Sequence, residues 1–115
     1  MNPKEMAETI QNILDNKKGI DIQTINLEGK TVLTDYFVLA TGTSTPHTRA
    51  LCDEVQIKMK NDHGIEASHV EGYESGRWIL LDYGNVIVHV FHAEDRAFYS
   101  LEKLWSSRNQ QILQQ

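Results

Sequence analysis

The turn at residues 42–44 is the first place where residue types and spacing could do chemistry, because Gly42 and Ser44 lie between a predicted strand and a predicted helix. Backbone N–H groups at a helix N-terminus can bind a phosphate. The turn lacks the lysine and the spacing of a P-loop. The adjacent Asp53 and Glu54 would point in different directions, so they do not form the carboxylate cluster that holds catalytic Mg²⁺. A nucleotide-binding or nucleotidyl-transferring enzyme is therefore kept only as an alternative.

Two histidine patterns also invite a catalytic or metal-binding interpretation. His89 and His92 are three residues apart, but on a strand this spacing sends them to opposite faces, which favours structural histidines over a metal site. Ser44 and His47 could form a nucleophile and its base, although a serine in a cluster of helix-capping residues usually serves as the cap. The sequence therefore predicts no catalytic residue, no metal ligand and no cofactor-binding residue.

The third candidate is the segment 71–83, in which aromatic and charged residues flank a predicted strand. Tyrosine, tryptophan and arginine dominate the energetic hot spots of protein interfaces. Side-chain alternation divides the strand and the residue after it between two faces, with Trp78, Leu80 and Asp82 on one and Ile79, Leu81 and Tyr83 on the other. Trp78 is either a half-buried residue that closes the sheet edge or an anchor offered to a partner.

The composition is that of an ordinary globular protein, with 40% hydrophobic and 23% charged residues in a chain of 115. A formal net charge of −5 argues against direct binding of nucleic acid and suits a basic protein partner better. No segment approaches the roughly 20 apolar residues of a membrane span, and the first residues resemble no targeting peptide, so we expect a cytoplasmic protein. The lone Cys52 is expected to be a small core residue on a helix.

Apolar periodicity and turn residues predict one mixed sheet with helices packed on it, that is, an α/β (α+β) fold. The predicted elements are a helix from Pro3, strands 20–27 and 36–42, a helix from about 45 to 63, a short strand and loop in 66–76, strands 77–82 and 85–92, and a helix 95–105. Residues 1–105 are predicted to form a single domain, and residues 106–115 a mobile or loosely helical tail.

Local signals refine the first two elements and the last turn. Asn2 and Glu5 predict a capped start of the first helix, and Gly19 is expected to end it as the C-cap. In strand 20–27 the apolar alternation shifts phase, which indicates a bulge or a bend. Gly84 is expected to form the turn between the last two strands.

Taken together, these motifs resemble the ribosomal silencing factor family, also called the Iojap family. The resemblance covers residues 18–105 and rests on several motifs in the right order, namely "TDYFVLATGTS" (34–44), "LCDEV" (51–55), "EG" (71–72), "WILLDYGNVIVHVF" (78–91) and "RAFYSLEKLW" (96–105).

The resemblance implies a sheet with flanking helices, similar to a nucleotidyltransferase core without its catalytic residues. It implies a repressor of translation that binds the large ribosomal subunit through a basic protein at the subunit interface and blocks joining of the small subunit when nutrients are short. It further implies a homodimer in some free members and an assembly role for the large subunit in some relatives. Carried over to this chain, the partner-binding residues are Trp78, Leu81, Asp82, Tyr73, Tyr83 and Glu74.

Overall fold

The computed structural model describes residues 1–95, which form two helices and five strands. These elements are α1 (Pro3–Asn16), β1 (Ile20–Asn26), β2 (Tyr36–Gly42), α2 (Thr45–His63), β3 (His69–Glu71), β4 (Trp78–Asp82) and β5 (Val86–His92). Their order confirms the predicted succession of elements as far as β5. The predicted helix 95–105 and the tail 106–115 lie outside the described residues.

The five strands form one mixed sheet in the order β1-β2-β5-β4-β3. Only the central pair, β2 and β5, is parallel, with Tyr36 opposite Val86 and Gly42 opposite His92. The pairs β1–β2, β4–β5 and β3–β4 are antiparallel. The mixed sheet with its packed helices confirms the α+β class.

The strand β2 is buried along its whole length, which confirms its predicted position in the middle of the sheet. A near-continuous apolar segment is typical of a strand that is covered on both faces. In agreement with this, Val38 contributes to one apolar cluster and Leu39 to another, on opposite sides of the same strand.

The larger apolar cluster lies between the sheet and the two helices. Its helical members are fully or almost fully buried, as with Ile10 and Leu14 on α1 and Val55 and Met59 on α2. Cys52 is also wholly buried in this cluster, which confirms its predicted role as a core residue. The burial also raises the pKa of the Cys52 thiol.

Three predictions about chain ends and bends have different outcomes. A shift in register between Ile20 and Gln23 confirms the irregularity expected in β1, and Asp21 adopts a positive φ of 49° there. The capping of α1 by Asn2 is confirmed as well, with a capping box closed by Glu5. The prediction of Gly19 as C-cap was wrong, because Lys17 is the C-cap and Lys18 takes the left-handed conformation.

No helix within residues 1–95 is long and apolar enough to cross a membrane.

Candidate functional site

The alternation of side chains along β4 determines which residues a partner could reach. Ile79 and Leu81 are fully buried in the cluster beneath the helices. Trp78, Leu80 and Asp82 are only partly buried and point to the opposite face of the sheet. We refer to these three residues as the outer face of β4.

Leu81 and Tyr83, which were both predicted to bind a partner, do not lie on this face. Leu81 has no exposed surface, whereas Leu80 is partly exposed on the same face of β4 as Trp78. Tyr83 follows the strand and packs against the same core cluster as Leu81. Burial raises the pKa of Tyr83 to about 12, and its hydroxyl has no hydrogen-bond partner in the described part of the chain.

Trp78 lies in a cluster of aromatic rings contributed by neighbouring strands. Its indole ring is 5.1 Å from the ring of Phe91, its cross-strand partner, and 6.0 Å from the imidazole of His89, measured between centroids. The indole N–H donates a hydrogen bond to Nδ1 of His89, with a distance of 3.1 Å between the nitrogens. The tryptophan is therefore anchored on one side and retains some exposed surface.

His89 is itself one of the most deeply buried polar residues, at 5% exposure. The ring of Phe37 meets it edge to face at 4.6 Å, and Phe91 stacks near it at 6.2 Å. Burial lowers the pKa of His89 to about 4, because charging an imidazole away from water is unfavourable. The ring is thus neutral at physiological pH.

The loop 72–76, between β3 and β4, carries Tyr73 and Glu74 and is attached to α2 on the helical side of the sheet. The Tyr73 hydroxyl lies 3.0 Å from both carboxylate oxygens of Asp53, and the Arg49 guanidinium donates to the backbone carbonyl of Glu74 at 3.1 Å. The hydrogen bond to Asp53 raises the pKa of Tyr73. Both side chains are exposed, so they form a second group of accessible candidates next to the start of β4.

The turn at residues 42–44 uses its own polar groups to begin α2. The Ser44 side chain accepts from the backbone N–H of His47, which confirms Ser44 as the N-cap. The backbone N–H of Thr43 donates to Nδ1 of His47 at 3.0 Å. A Cβ atom at Gly42 would lie 2.7 Å from Thr48 Cγ2, so this glycine allows close packing of the helix on the strand. These contacts explain the conformation of the turn, and none of them requires a bound phosphate.

No group of three or more histidine, cysteine, aspartate or glutamate side chains within residues 1–95 is placed to hold a metal ion. His89 and His92 alternate along β5, where His89 contributes its ring to the aromatic cluster and His92 is partly buried.

His89 was predicted to be a structural histidine, but its hydrogen bond to Trp78 was not predicted. The signal was present in principle, since Leu80 pairs with His89 and Trp78 pairs with Phe91, which makes Trp78 and His89 diagonal neighbours. That register depends on how β4 and β5 pair across their turn, and the sequence alone did not specify it.

Comparisons with known proteins agree with this fold and extend over nearly all of the chain. Residues 1–115 match the family described as "Ribosomal silencing factor during starvation". The ribosomal silencing factor RsfS of Halalkalibacterium halodurans is 39% identical over 105 residues, covering 91% of this chain and 89% of that protein. A crystal structure of a Chromobacterium violaceum protein has a TM-score of 0.88 at 35% identity, covering 94% of this chain and 89% of that one. The mouse protein named "Mitochondrial assembly of ribosomal large subunit protein 1" is 30% identical over 107 residues, covering 89% of this chain and 46% of that protein.

Proposed function

The chain belongs to the ribosomal silencing factor family, and from this membership we propose that it represses translation by binding the large ribosomal subunit and blocking the small subunit from joining. The family consists of silencing factors that act during starvation, so the chain is a regulator of translation and not an enzyme. The match of the family over residues 1–115 is the observation that carries the proposal.

The proposed contact surface is centred on the outer face of β4, that is, on Trp78, Leu80 and Asp82. A partly exposed tryptophan beside a partly exposed leucine supplies the aromatic and aliphatic anchors that dominate binding energy. Tyr73 and Glu74 belong to the loop that precedes the strand and lie toward α2, so they are proposed as contacts at the margin of this surface. Leu81 and Tyr83 are left out, because their side chains pack in the core.

The partner that suits this surface is a basic protein of the large subunit at the subunit interface. The chain carries 16 acidic and 11 lysine or arginine residues, and Asp82 and Glu74 are among the accessible acidic groups of the proposed surface. Opposite charge increases the rate and the orientational accuracy of association, while the apolar anchors supply most of the affinity.

Steric exclusion requires neither catalysis nor a cofactor. A single contact of standard size, about 800 Å² on each partner, is sufficient for a specific complex. The described residues have dimensions of 36 × 33 × 21 Å by their Cα atoms. A body of this size at the subunit interface occupies space that the small subunit needs.

Subunit joining can be measured directly by sedimentation of purified large and small subunits with and without saturating protein. We expect the wild-type chain to reduce the fraction of joined ribosomes, because bound protein excludes the small subunit. We expect Leu80→Asp to weaken binding to the large subunit at least tenfold, since it buries an unpaired charge at the centre of the contact.

The matched control is Ile57→Asp. Ile57 is 54% exposed on α2, a helix that packs on the opposite face of the sheet, so this variant introduces the same charge away from Trp78 and Leu80. It should bind as the wild type does. Undiminished joining of subunits at saturating wild-type protein would refute the silencing mechanism, and equal binding of the two variants would refute the assignment of the surface.

A role in assembly of the large subunit is the second candidate function. The name of the mouse relative, which is 30% identical to this chain, refers to that process. The same contact would serve both roles, so binding data do not separate them. Deletion of the gene distinguishes the two: an assembly role predicts accumulating large-subunit precursors during growth, whereas silencing alone predicts normal particles and excess translation in starvation.

The proposal includes a homodimer in the free protein, as the family resemblance implies. Light scattering across a concentration series would measure the mass, and a constant mass of about 13 kDa, the value for one chain, would exclude a dimer.

A further inference from the structure

The hydrogen bond between Trp78 and His89 determines which nitrogen of the imidazole carries the proton. An indole N–H can only donate, so Nδ1 of His89 must be the acceptor and must be unprotonated. In a neutral imidazole the proton then lies on Nε2. Nε2 is buried and has no hydrogen-bond partner within residues 1–95.

Taken alone, a buried Nε2–H group without a hydrogen-bond partner lowers the stability of the fold. A buried polar group without a partner costs roughly 1–3 kcal/mol, and an apolar side chain of similar shape would avoid that cost. Apart from Trp78, the neighbours that residues 1–95 place around the ring are apolar, with Leu39 opposite it on β2 and Phe37 and Phe91 against it. Within residues 1–95, the hydrogen bond to Trp78 is the one polar contact of the imidazole.

We propose that His89 is a positioning residue for partner binding: its neutral Nδ1 holds the indole of Trp78 in the orientation in which the partner meets it. The inference rests on the proposed function, because it assigns a role to Trp78 at the interface. A partly exposed tryptophan that is held in place before binding loses less side-chain freedom when the complex forms. Ordering one such side chain costs about 1 kcal/mol, which corresponds to roughly fivefold in affinity.

The variants His89→Asn and His89→Leu separate positioning from packing. Asparagine and leucine have nearly the same shape, but only asparagine offers an acceptor, its Oδ1, near the place of Nδ1. A purely structural role predicts that leucine, which suits the apolar surroundings, is the better substitute in every measurement. A positioning role predicts opposite rankings, with His89→Leu more resistant to urea but roughly fivefold weaker in binding to large subunits than His89→Asn.

A spectroscopic measurement on the free protein tests the hydrogen bond without the ribosome. Tryptophan labelled with ¹⁵N gives one indole N–H signal from each of Trp78 and Trp105, and Trp105→Phe assigns them. The Trp78 signal should exchange slowly with solvent in the wild type and in His89→Asn, and faster in His89→Leu. In a Trp78→Phe background, the two substitutions at position 89 should no longer differ in binding.

The outcomes separate this inference from the proposed function. If the wild type binds large subunits but His89→Leu and His89→Asn bind equally well, the positioning role is overturned and the proposed function stands. Equal exchange of the Trp78 indole N–H in all three proteins also overturns the positioning role. A wild-type chain that does not bind large subunits overturns the proposed function, and the role of His89 in binding with it.

Discussion

Position 89 shows how one buried side chain couples stability to pH. The imidazole is 5% exposed, and burial lowers its pKa from 6.5 to about 4. The unfolded chain therefore binds a proton below pH 6.5 that the folded chain excludes until about pH 4. The stabilisation from a neutral His89 is complete above pH 6.5 and is lost progressively as the pH falls toward 4.

This linkage predicts that acid destabilises the wild type more than His89→Asn. Between pH 7 and pH 4.5, the free energy of unfolding should fall by about 2–3 kcal/mol more in the wild type, as follows from the two pKa values of the histidine. Urea denaturation of both proteins at several pH values measures the difference. The carboxylates are common to both proteins and cancel in the comparison, so parallel curves would contradict the lowered pKa.

The choice between Leu80 and Leu81 illustrates what single residues reveal before a structure is known. Alternation along the strand placed the two leucines on opposite faces, and this was right. Which face met the helices depended on the packing of α2 over the side of the sheet that carries Leu81, and α2 is separated from β4 in the sequence by β3 and two connecting segments. The sequence pattern therefore predicted the two faces and left their environments open.

Among the elements, those with strong local signals were predicted well. Both helices and all five strands within residues 1–95 were predicted near their observed positions, because apolar period, caps and glycine turns are local features. The wrong assignment at the end of α1 is an error of two residues, since the C-cap is Lys17 and not Gly19, and Lys18 takes the left-handed conformation. A Cβ at Gly19 would lie 3.0 Å from the carbonyl oxygen of Leu14, so the glycine is suited to close packing there.

The loop between β3 and β4 contains Gly72, whose replacement should destabilise the protein. Gly72 has φ of 78°, and a Cβ there would clash with the backbone carbonyl oxygen of Trp78. Gly29 has nearly the same φ of 77° with open space around it. We expect Gly29→Ala to lower the free energy of unfolding by about 1 kcal/mol, from backbone strain alone, and Gly72→Ala by at least about 3 kcal/mol, since the backbone must also move.

Urea denaturation of both glycine variants tests this pair. Gly72→Ala should also weaken binding to large subunits, because the displaced backbone belongs to Trp78 and to the loop that carries Tyr73. Similar stability of the two variants would contradict the expected clash, because it would show that the loop can shift away from β4 without loss of stability.

At the scale of the whole molecule, the sequence predicted a mixed sheet but not its strand order. The parallel pairing of β2 with β5 joins segments separated by α2, β3 and β4. Such a pairing is determined by the packing of both helices on one face, and local patterns carry no direct signal for it. For the candidate site, the sequence predicted a segment with binding-type residues, which stays a prediction, and the division of that segment between the core and the outer face became visible only in the folded sheet.

The net charge predicts how association with the large subunit responds to salt. With a net charge of −5, the chain should associate with a basic partner several-fold more slowly when salt rises from 50 to 200 mM, because salt screens long-range attraction. The dissociation rate should change little. Stopped-flow measurements with labelled subunits would show both rates, and Asp82→Asn should reduce the salt dependence. An association rate independent of salt would argue against a basic partner surface.

The position of β2 inside the sheet also affects when the protein can fold during its synthesis. Because about fifty residues separate the paired Tyr36 and Val86, synthesis at roughly 5–20 residues per second leaves the apolar strand without its central neighbour for several seconds. The sheet closes only after β5 has been made. A ribosome must therefore have made β5 before the chain can take the shape in which we propose that it silences another ribosome.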